Sequence, residues 1–217
     1  MNESGSDKGT EIEGFDAHGY SPYYERWFDS IRTEPLRFLE IGVCDPRNPG
    51  ASLKGWYEYF PNAAIYGIDI VDATRFENDR VTTFIGDQSN RDDLARLIDT
   101  HGGDFDIVID DGSHADEHQQ VSLEFLLPYV KPSGHYIIED MQVSPNTVQL
   151  LQALRGRSGE SVWLRWLKDT VNGAKDVVAG AKDAPKYLSR RSITRLSREI
   201  DSLDLHCDNK IAHIVRR

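Results

Sequence analysis

Five short apolar segments recur through the first two-thirds of the chain, at 37–43 (RFLEIGV), 64–69 (AIYGID), 81–87 (VTTFIGD), 105–111 (FDIVIDD) and 135–140 (HYIIED). Each is rich in β-branched residues and nearly continuous rather than alternating, the pattern of strands buried on both faces. Helical signals lie between them. A helix is predicted over 52–60 with Ser52 as its N-cap, another over 90–100 ending before Gly102-Gly103, and a third over 118–130, stopped by Lys131-Pro132-Ser133-Gly134. Such alternation predicts an α/β fold with a doubly wound, mostly parallel, Rossmann-like sheet. The tail differs: apolar positions at 203–207 and 210–215, joined at Asp208-Asn209, predict a C-terminal antiparallel hairpin closing the sheet.

Two stretches fall outside this rhythm. Residues 1–30 form a polar, aromatic prefix with Asp7-Lys8-Gly9-Thr10, His18-Gly19-Tyr20 and Tyr23-Tyr24, read as a cap segment. Residues 145–200 exceed what one crossover needs. They carry Trp163, Trp166 and a basic run over 186–198, and read either as a surface helix pair or as a lid or oligomer contact. The whole of 1–217 is read as one domain, consistent with its length.

Composition narrows the function. At 39% hydrophobic residues the chain can bury a core. Its formal net charge of −11 disfavours nucleic acid and anionic membrane surfaces as partners, and suits a neutral acceptor or a divalent cation. No apolar run of membrane-spanning length and no secretory signal is visible, and Cys44 and Cys207 lie far apart. The expectation is a cytoplasmic protein.

Every predicted strand carries a carboxylate at or near its C-terminal end: Glu40, Asp69, Asp87, Asp110 with Asp111, and Glu139 with Asp140. Ligands of open α/β sheets bind outside those ends, so these groups would rim one crevice. An acidic rim repels itself and is better tolerated around a cationic ligand. Gly42 permits close backbone approach to a cofactor. Asp69 suits a ribose diol, or else caps a loop; Asp87-Gln88 suits an adenine amino group, or else ordinary turn chemistry. The chain after Gly42 lacks G-x-G-x-x-G, so nothing builds a pyrophosphate cradle and a nucleoside without phosphates fits better.

The sharpest signal is Asp110-Asp111-Gly112-Ser113-His114 followed by Glu139-Asp140. If the two strands are neighbours, Asp111, Glu139 and Asp140 converge on one hard cation such as magnesium, with His114 in reach of a hydroxyl there. Adjacent acids at strand ends can also be merely solvated. The run from His114 to His118 matches the inverted zinc-peptidase pattern H-x-x-E-H, but its first histidine follows a loop signature rather than lying within a long helix.

Together with Gly5-Ser6-Asp7-Lys8-Gly9-Thr10, His18-Gly19-Tyr20, Leu39-Glu40-Ile41-Gly42-Val43 and Tyr66-Gly67-Ile68-Asp69, these motifs resemble the class I domain of magnesium-dependent sugar O-methyltransferases, typified by macrolide-sugar enzymes. The resemblance spans roughly residues 5–145. It implies S-adenosylmethionine and Mg2+ as cofactors, Asp111, Glu139 and Asp140 as metal ligands and His114 as general base. It also implies that Glu40, Gly42, Asp69, Asp87, Gln88 and Asp110 line the cofactor site. The macrolide enzymes carry a large N-terminal domain at the substrate site that these 217 residues do not contain, and the region after 145 does not match them. A shorter plan of this kind is similar to the mycobacterial methylmannose polysaccharide enzymes, which keeps an oligosaccharide acceptor in view. The partner expected is a small-molecule or oligosaccharide acceptor, with a homo-oligomer as a further expectation. The rival readings are a catechol-type phenolic methyltransferase, a zinc hydrolase and a non-catalytic nucleotide-binding module.

Overall fold

A computed structural model of the chain describes Lys8 and residues 19–155, 187–208 and 210–217. Among these residues seven strands form one sheet: β1 (Arg37–Ile41), β2 (Ala64–Asp69), β3 (Val81–Ile85), β4 (Phe105–Asp110), β5 (Val130–Ile138), β6 (Ile200–His206) and β7 (Ile211–Arg216). Their order is β3-β2-β1-β4-β5-β7-β6. The first five run parallel, and β7 lies antiparallel to both β5 and β6. The predicted mostly parallel sheet with a C-terminal hairpin is therefore what forms.

Strand residues alternate between two cores. Phe38, Ile65, Ile107, Ile109 and Ile137 pack with Tyr24 and Phe28 of α1 (Ser21–Phe28) and Trp56 of α2 (Ala51–Tyr59). Leu39, Ile41, Val108, Tyr136 and Ile138 pack on the other face, against α3 (Arg91–His101), α4 (Asp116–Leu126), α5 (Pro145–Arg155) and α6 (Arg190–Glu199). Both faces are thus covered by helices, which is why the strands read as continuous apolar runs. Each large side chain so buried stabilises by about 1.5–3 kcal/mol relative to exposure.

The chain moves outward from β1 to β2 and β3, then returns to place β4 beside β1. That reversal opens a crevice at the carboxyl ends of the central strands. Three backbone bonds carry the ladder one residue past the strands: Gly42 N–H to Ile68 O (2.9 Å), Asp111 N–H to Ile41 O (3.0 Å) and Glu139 N–H to Asp110 O (2.9 Å). They align the ends of β1, β4 and β5 along one rim.

Several local expectations need correction. Ser52 is not an N-cap: α2 starts at Ala51 after Gly50, whose φ is +77°, and Ser52 Oγ instead donates to Glu40 Oε2 across 2.7 Å. The third helix begins at Asp116 rather than 118, with Asp116 and Glu117 in the first turn where the helix dipole favours acids. It ends at Leu126, because Pro128 enforces a short 3-10 turn over Leu127–Tyr129. The Lys131-Pro132-Ser133-Gly134 run does not stop a helix. It lies inside β5, where a register shift opposite 105–107 and a φ of +64° at Ser133 absorb it as a bulge. In the hairpin, β6 starts at Ile200 directly from α6, and Cys207 and Asp208 take the left-handed turn conformations; Asn209 lies outside the described residues. So do Trp163 and Trp166 of the 145–200 stretch, and most of the 1–30 prefix. Of the basic run, Arg195 donates to Glu124 O across 2.8 Å, which ties α6 to α4. Among the described residues no helix is long and apolar enough to cross a membrane.

Candidate active site

A cleft of about 420 Å³ opens at the crevice. Gly42, Asp69, Asp87 and Gln88 line one part of it, and Asp111, His114 and Asp140 another. Glu40, Asp110 and Glu139 stand behind these, fully buried.

Gly42 has φ +84°, and a Cβ there would lie 2.2 Å from Asp111 O. The ends of β1 and β4 therefore approach as closely as they do only because this residue lacks a side chain. Asp69 Oδ2 accepts from Val43 N–H (2.9 Å) and Cys44 N–H (2.8 Å), and Oδ1 from Val71 N–H (2.9 Å). Its carboxylate holds the loop after β1 while facing the cleft, and retains room for one further donor by lone-pair count. Asp87 accepts from Ser89 N–H (2.8 Å) and Ser89 Oγ (2.7 Å), and these bonds hold its carboxyl below the usual range.

Gln88 reaches back into the protein rather than out. Its Nε2 donates to Asp110 Oδ1 (2.9 Å) and its Oε1 accepts from Ser113 N–H (2.8 Å), clamping the Asp-Gly-Ser turn against β3. Asp110 also accepts from Ser122 Oγ. Burial pushes its carboxyl up, against the Ser122 and Gln88 hydrogen bonds that oppose the shift. Asp110 is thus an anchor under the loop.

Asp111, His114 and Asp140 each present a ligand atom, all within 4.8 Å of one another. His114 and Asp140 sit at φ +57° and +52°, conformations that cost non-glycine residues energy and that cluster at functional sites. Ser144 Oγ donates to His114 O and helps hold that geometry. His114 Nε2 lies 3.8 Å from Asp140 Oδ2, while its Nδ1 is buried without a hydrogen-bond partner among the described residues. Because His114 precedes α4 rather than lying on it, the two histidines of the H-x-x-E-H pattern do not share a helical face.

Glu139 is placed differently from its two companions. Its Oε1 accepts from Tyr24 Oη and lies 2.9 Å from Lys8 Nζ, whereas Oε2 is buried with no partner among the described residues. Gln119 Nε2 fixes the Glu139 backbone carbonyl at 3.0 Å. Lys8 is itself fully buried; its ammonium also pairs with Asp111 Oδ2 and stands 3.5 Å from Glu40 Oε1. Tyr20 Oη donates to Asp140 Oδ1 (2.7 Å). Burial pushes Glu139 well up, with Asp111 adding and Lys8 opposing. Burial likewise raises Glu40 to about 7, with Lys8 and its Trp56 (2.9 Å) and Ser52 hydrogen bonds opposing.

The donor set suits a hard divalent cation. It offers carboxylate oxygens and one imidazole, and Glu139 keeps a buried oxygen, Oε2, with no hydrogen-bond partner among the described residues. The supporting residues were harder to foresee. Lys8, Tyr20 and Tyr24 lie in the prefix, far in sequence from the strand ends, and Gln119 and Ser122 belong to no motif of their own. Only the i, i+4 spacing of the two tyrosines, which places them on one helical face, offered a signal.

Sheet order, terminal hairpin and crevice site together define a class I methyltransferase fold. The chain is 44% identical over 127 residues to demethylmacrocin O-methyltransferase of Streptomyces fradiae, and 43% identical over 127 residues to mycinamicin VI 2''-O-methyltransferase of Micromonospora griseorubida. Each match takes in 57% of this chain and 32% of the relative, so the chain matches about a third of these curated enzymes. The solved structure of the MycE methyltransferase from the mycinamycin biosynthetic pathway, in complex with Mg, SAH and mycinamycin VI, superposes with a TM-score of 0.68 at 29% identity, covering 99% of this chain and 52% of that one. A methyltransferase from Podospora anserina, PaMTH1, shares the fold at 16% identity and a TM-score of 0.51. No protein-family model matches the chain.

Proposed function

We propose that this chain is the catalytic domain of an S-adenosylmethionine-dependent, magnesium-dependent O-methyltransferase whose acceptor is a sugar hydroxyl, on a glycosylated polyketide or an oligosaccharide. The observation that carries the reading is the grouping of Asp111, His114 and Asp140 on the wall of the same cleft that Gly42, Asp69 and Gln88 line. Support comes from relatives named as O-methyltransferases, two of them of rhamnosyl tetracenomycin C, and from a neighbour solved with Mg and SAH. The two cysteines are unpaired, which supports a cytoplasmic setting.

When bound, S-adenosylmethionine supplies an electrophilic methyl whose leaving electron pair stays on sulfur, and a divalent cation supplies the charge that acidifies a hydroxyl. The loop that Asp69 holds and the Gly42 approach shape the cofactor half. Asp111, Asp140 and Glu139 would hold the metal. His114 Nε2 would take the acceptor proton, with Asp140 Oδ2 3.8 Å away on the same side. Holding both reactants in line can supply roughly 7–11 kcal/mol of the barrier.

Titration with S-adenosylhomocysteine, followed by methyl transfer to a panel of glycosides and phenols with and without magnesium, tests the proposal. Metal-dependent methylation of glycosides is expected. Phenol-only turnover would favour the catechol-type reading, and absence of cofactor binding would remove the methyltransferase reading altogether.

A further inference from the structure

Each of three carboxylates at the cation site has an oxygen on a supporting group. Glu139 Oε1 accepts from Tyr24 Oη and meets Lys8 Nζ at 2.9 Å, while the buried Oε2 has no partner among the described residues. Asp140 Oδ1 accepts from Tyr20 Oη at 2.7 Å, and its Oδ2 faces His114. Asp111 Oδ2 pairs with Lys8. Tyr20 lies just before α1 and Tyr24 within it, so one helical face reaches two of the carboxylates.

We infer that Lys8, Tyr24 and Tyr20 are positioning residues for the divalent cation: they hold oxygens of Asp111, Glu139 and Asp140 and so fix how those carboxylates are oriented toward the ion. The inference rests on the metal-dependent reading above and adds residues to which that reading gives no role. Packing supports it: Tyr24 stands edge-on to Trp56 at 5.1 Å and stacks on Phe28 at 5.8 Å, so its hydroxyl is aimed by a rigid aromatic group. Outer-shell partners of this type fix the orientation and charge of ligands, and their loss costs about 10–100-fold in metal affinity.

The test is calorimetric titration of Mg2+ and of Mn2+ into the full chain saturated with S-adenosylhomocysteine, for wild type, Tyr24→Phe, Tyr20→Phe and Lys8→Met. Metal affinity is expected to fall about 10–100-fold in the variants. S-adenosylhomocysteine affinity without metal should be unchanged in Tyr24→Phe, which a general structural defect would not allow. Tyr24→Phe keeps the packed ring and carries the test should Lys8→Met fail to fold. Wild-type affinity in the phenylalanine variants would overturn the inference, as would tighter metal binding in Lys8→Met, which would make Lys8 a competing cation. Absence of metal binding by wild type would instead overturn the metal-dependent reading itself.

Discussion

Tyr20 Oη donates to Asp140 Oδ1 across 2.7 Å, joining residues 120 apart in the chain. The residue immediately before α1 thereby fixes the side chain of a residue held at φ +52°, two positions past the end of β5. The acidic rim is thus set by a helix the chain makes before its first strand, and the chemistry of the site depends on that docking.

His114→Ala is expected to lower kcat by about 10²–10⁴-fold, since the imidazole is the proton acceptor of the proposed reaction. Cofactor affinity should be retained, because the loop after β1 is held by Asp69, while His114 Nε2 lies toward Asp140. Steady-state kinetics on a glycoside acceptor, paired with titration of S-adenosylhomocysteine, measures both. Unchanged kcat would remove His114 from the mechanism.

Asp69→Ala removes the acceptor for three backbone N–H groups, those of Val43, Cys44 and Val71. Leaving such donors unsatisfied costs about 1–3 kcal/mol each where they are buried, less where water reaches them. Both a lower unfolding midpoint and weaker S-adenosylhomocysteine binding are expected. A variant that loses stability but binds normally would confine Asp69 to the loop.

Gly42→Ala places a methyl group 2.2 Å from Asp111 O at φ +84°. The left-handed backbone alone costs on the order of 1–3 kcal/mol, and the clash must push β1 and β4 apart at the cleft. Denaturant unfolding should show the loss. Metal titration should also weaken, since Asp111 belongs to the strand end being displaced.

Glu40 gives a pH signature to the metal-free protein. Its carboxyl is raised to about 7 in the folded chain from an ordinary 4.5, chiefly by burial. Below 4.5 both states are protonated and the group is neutral in its effect. As pH rises toward 7 the unfolded chain releases its proton first, so stability falls over that window, by about 3 kcal/mol in all from this group. Glu40→Gln should remove that slope, and the free-energy difference between wild type and variant should therefore move in the variant's favour between pH 4.5 and 7. Parallel pH dependences for the two proteins would show that folding does not raise the Glu40 carboxyl.

Much of the frame was legible because it follows local rules. Continuous β-branched runs mark doubly covered strands, and a carboxylate after each marks the ligand edge. Local rules failed where tertiary contacts compete with them. Ser52 has the chemistry of an N-cap, yet Glu40 takes its hydroxyl. Lys131-Pro132-Ser133-Gly134 has the composition of a loop, yet pairing with β4 draws it into a bulged strand.

The sequence by itself determined the kinds of groups available and their order along the chain: the five strands, the acids that end them, the loop histidine and the glycine that lets two strand ends meet. Tertiary structure alone decided how those acids divide the work. Asp110 turns inward to Ser122 and Gln88, Glu139 is drawn to Lys8 and Tyr24, and Asp111, His114 and Asp140 are left together at the cleft. Like carboxylates in similar sequence settings differ only through burial, nearby charge and hydrogen-bond donors. Those donors come from the first twenty-four residues, from α4 and from Gln88 after β3, brought to the rim by packing and not by any spacing along the chain.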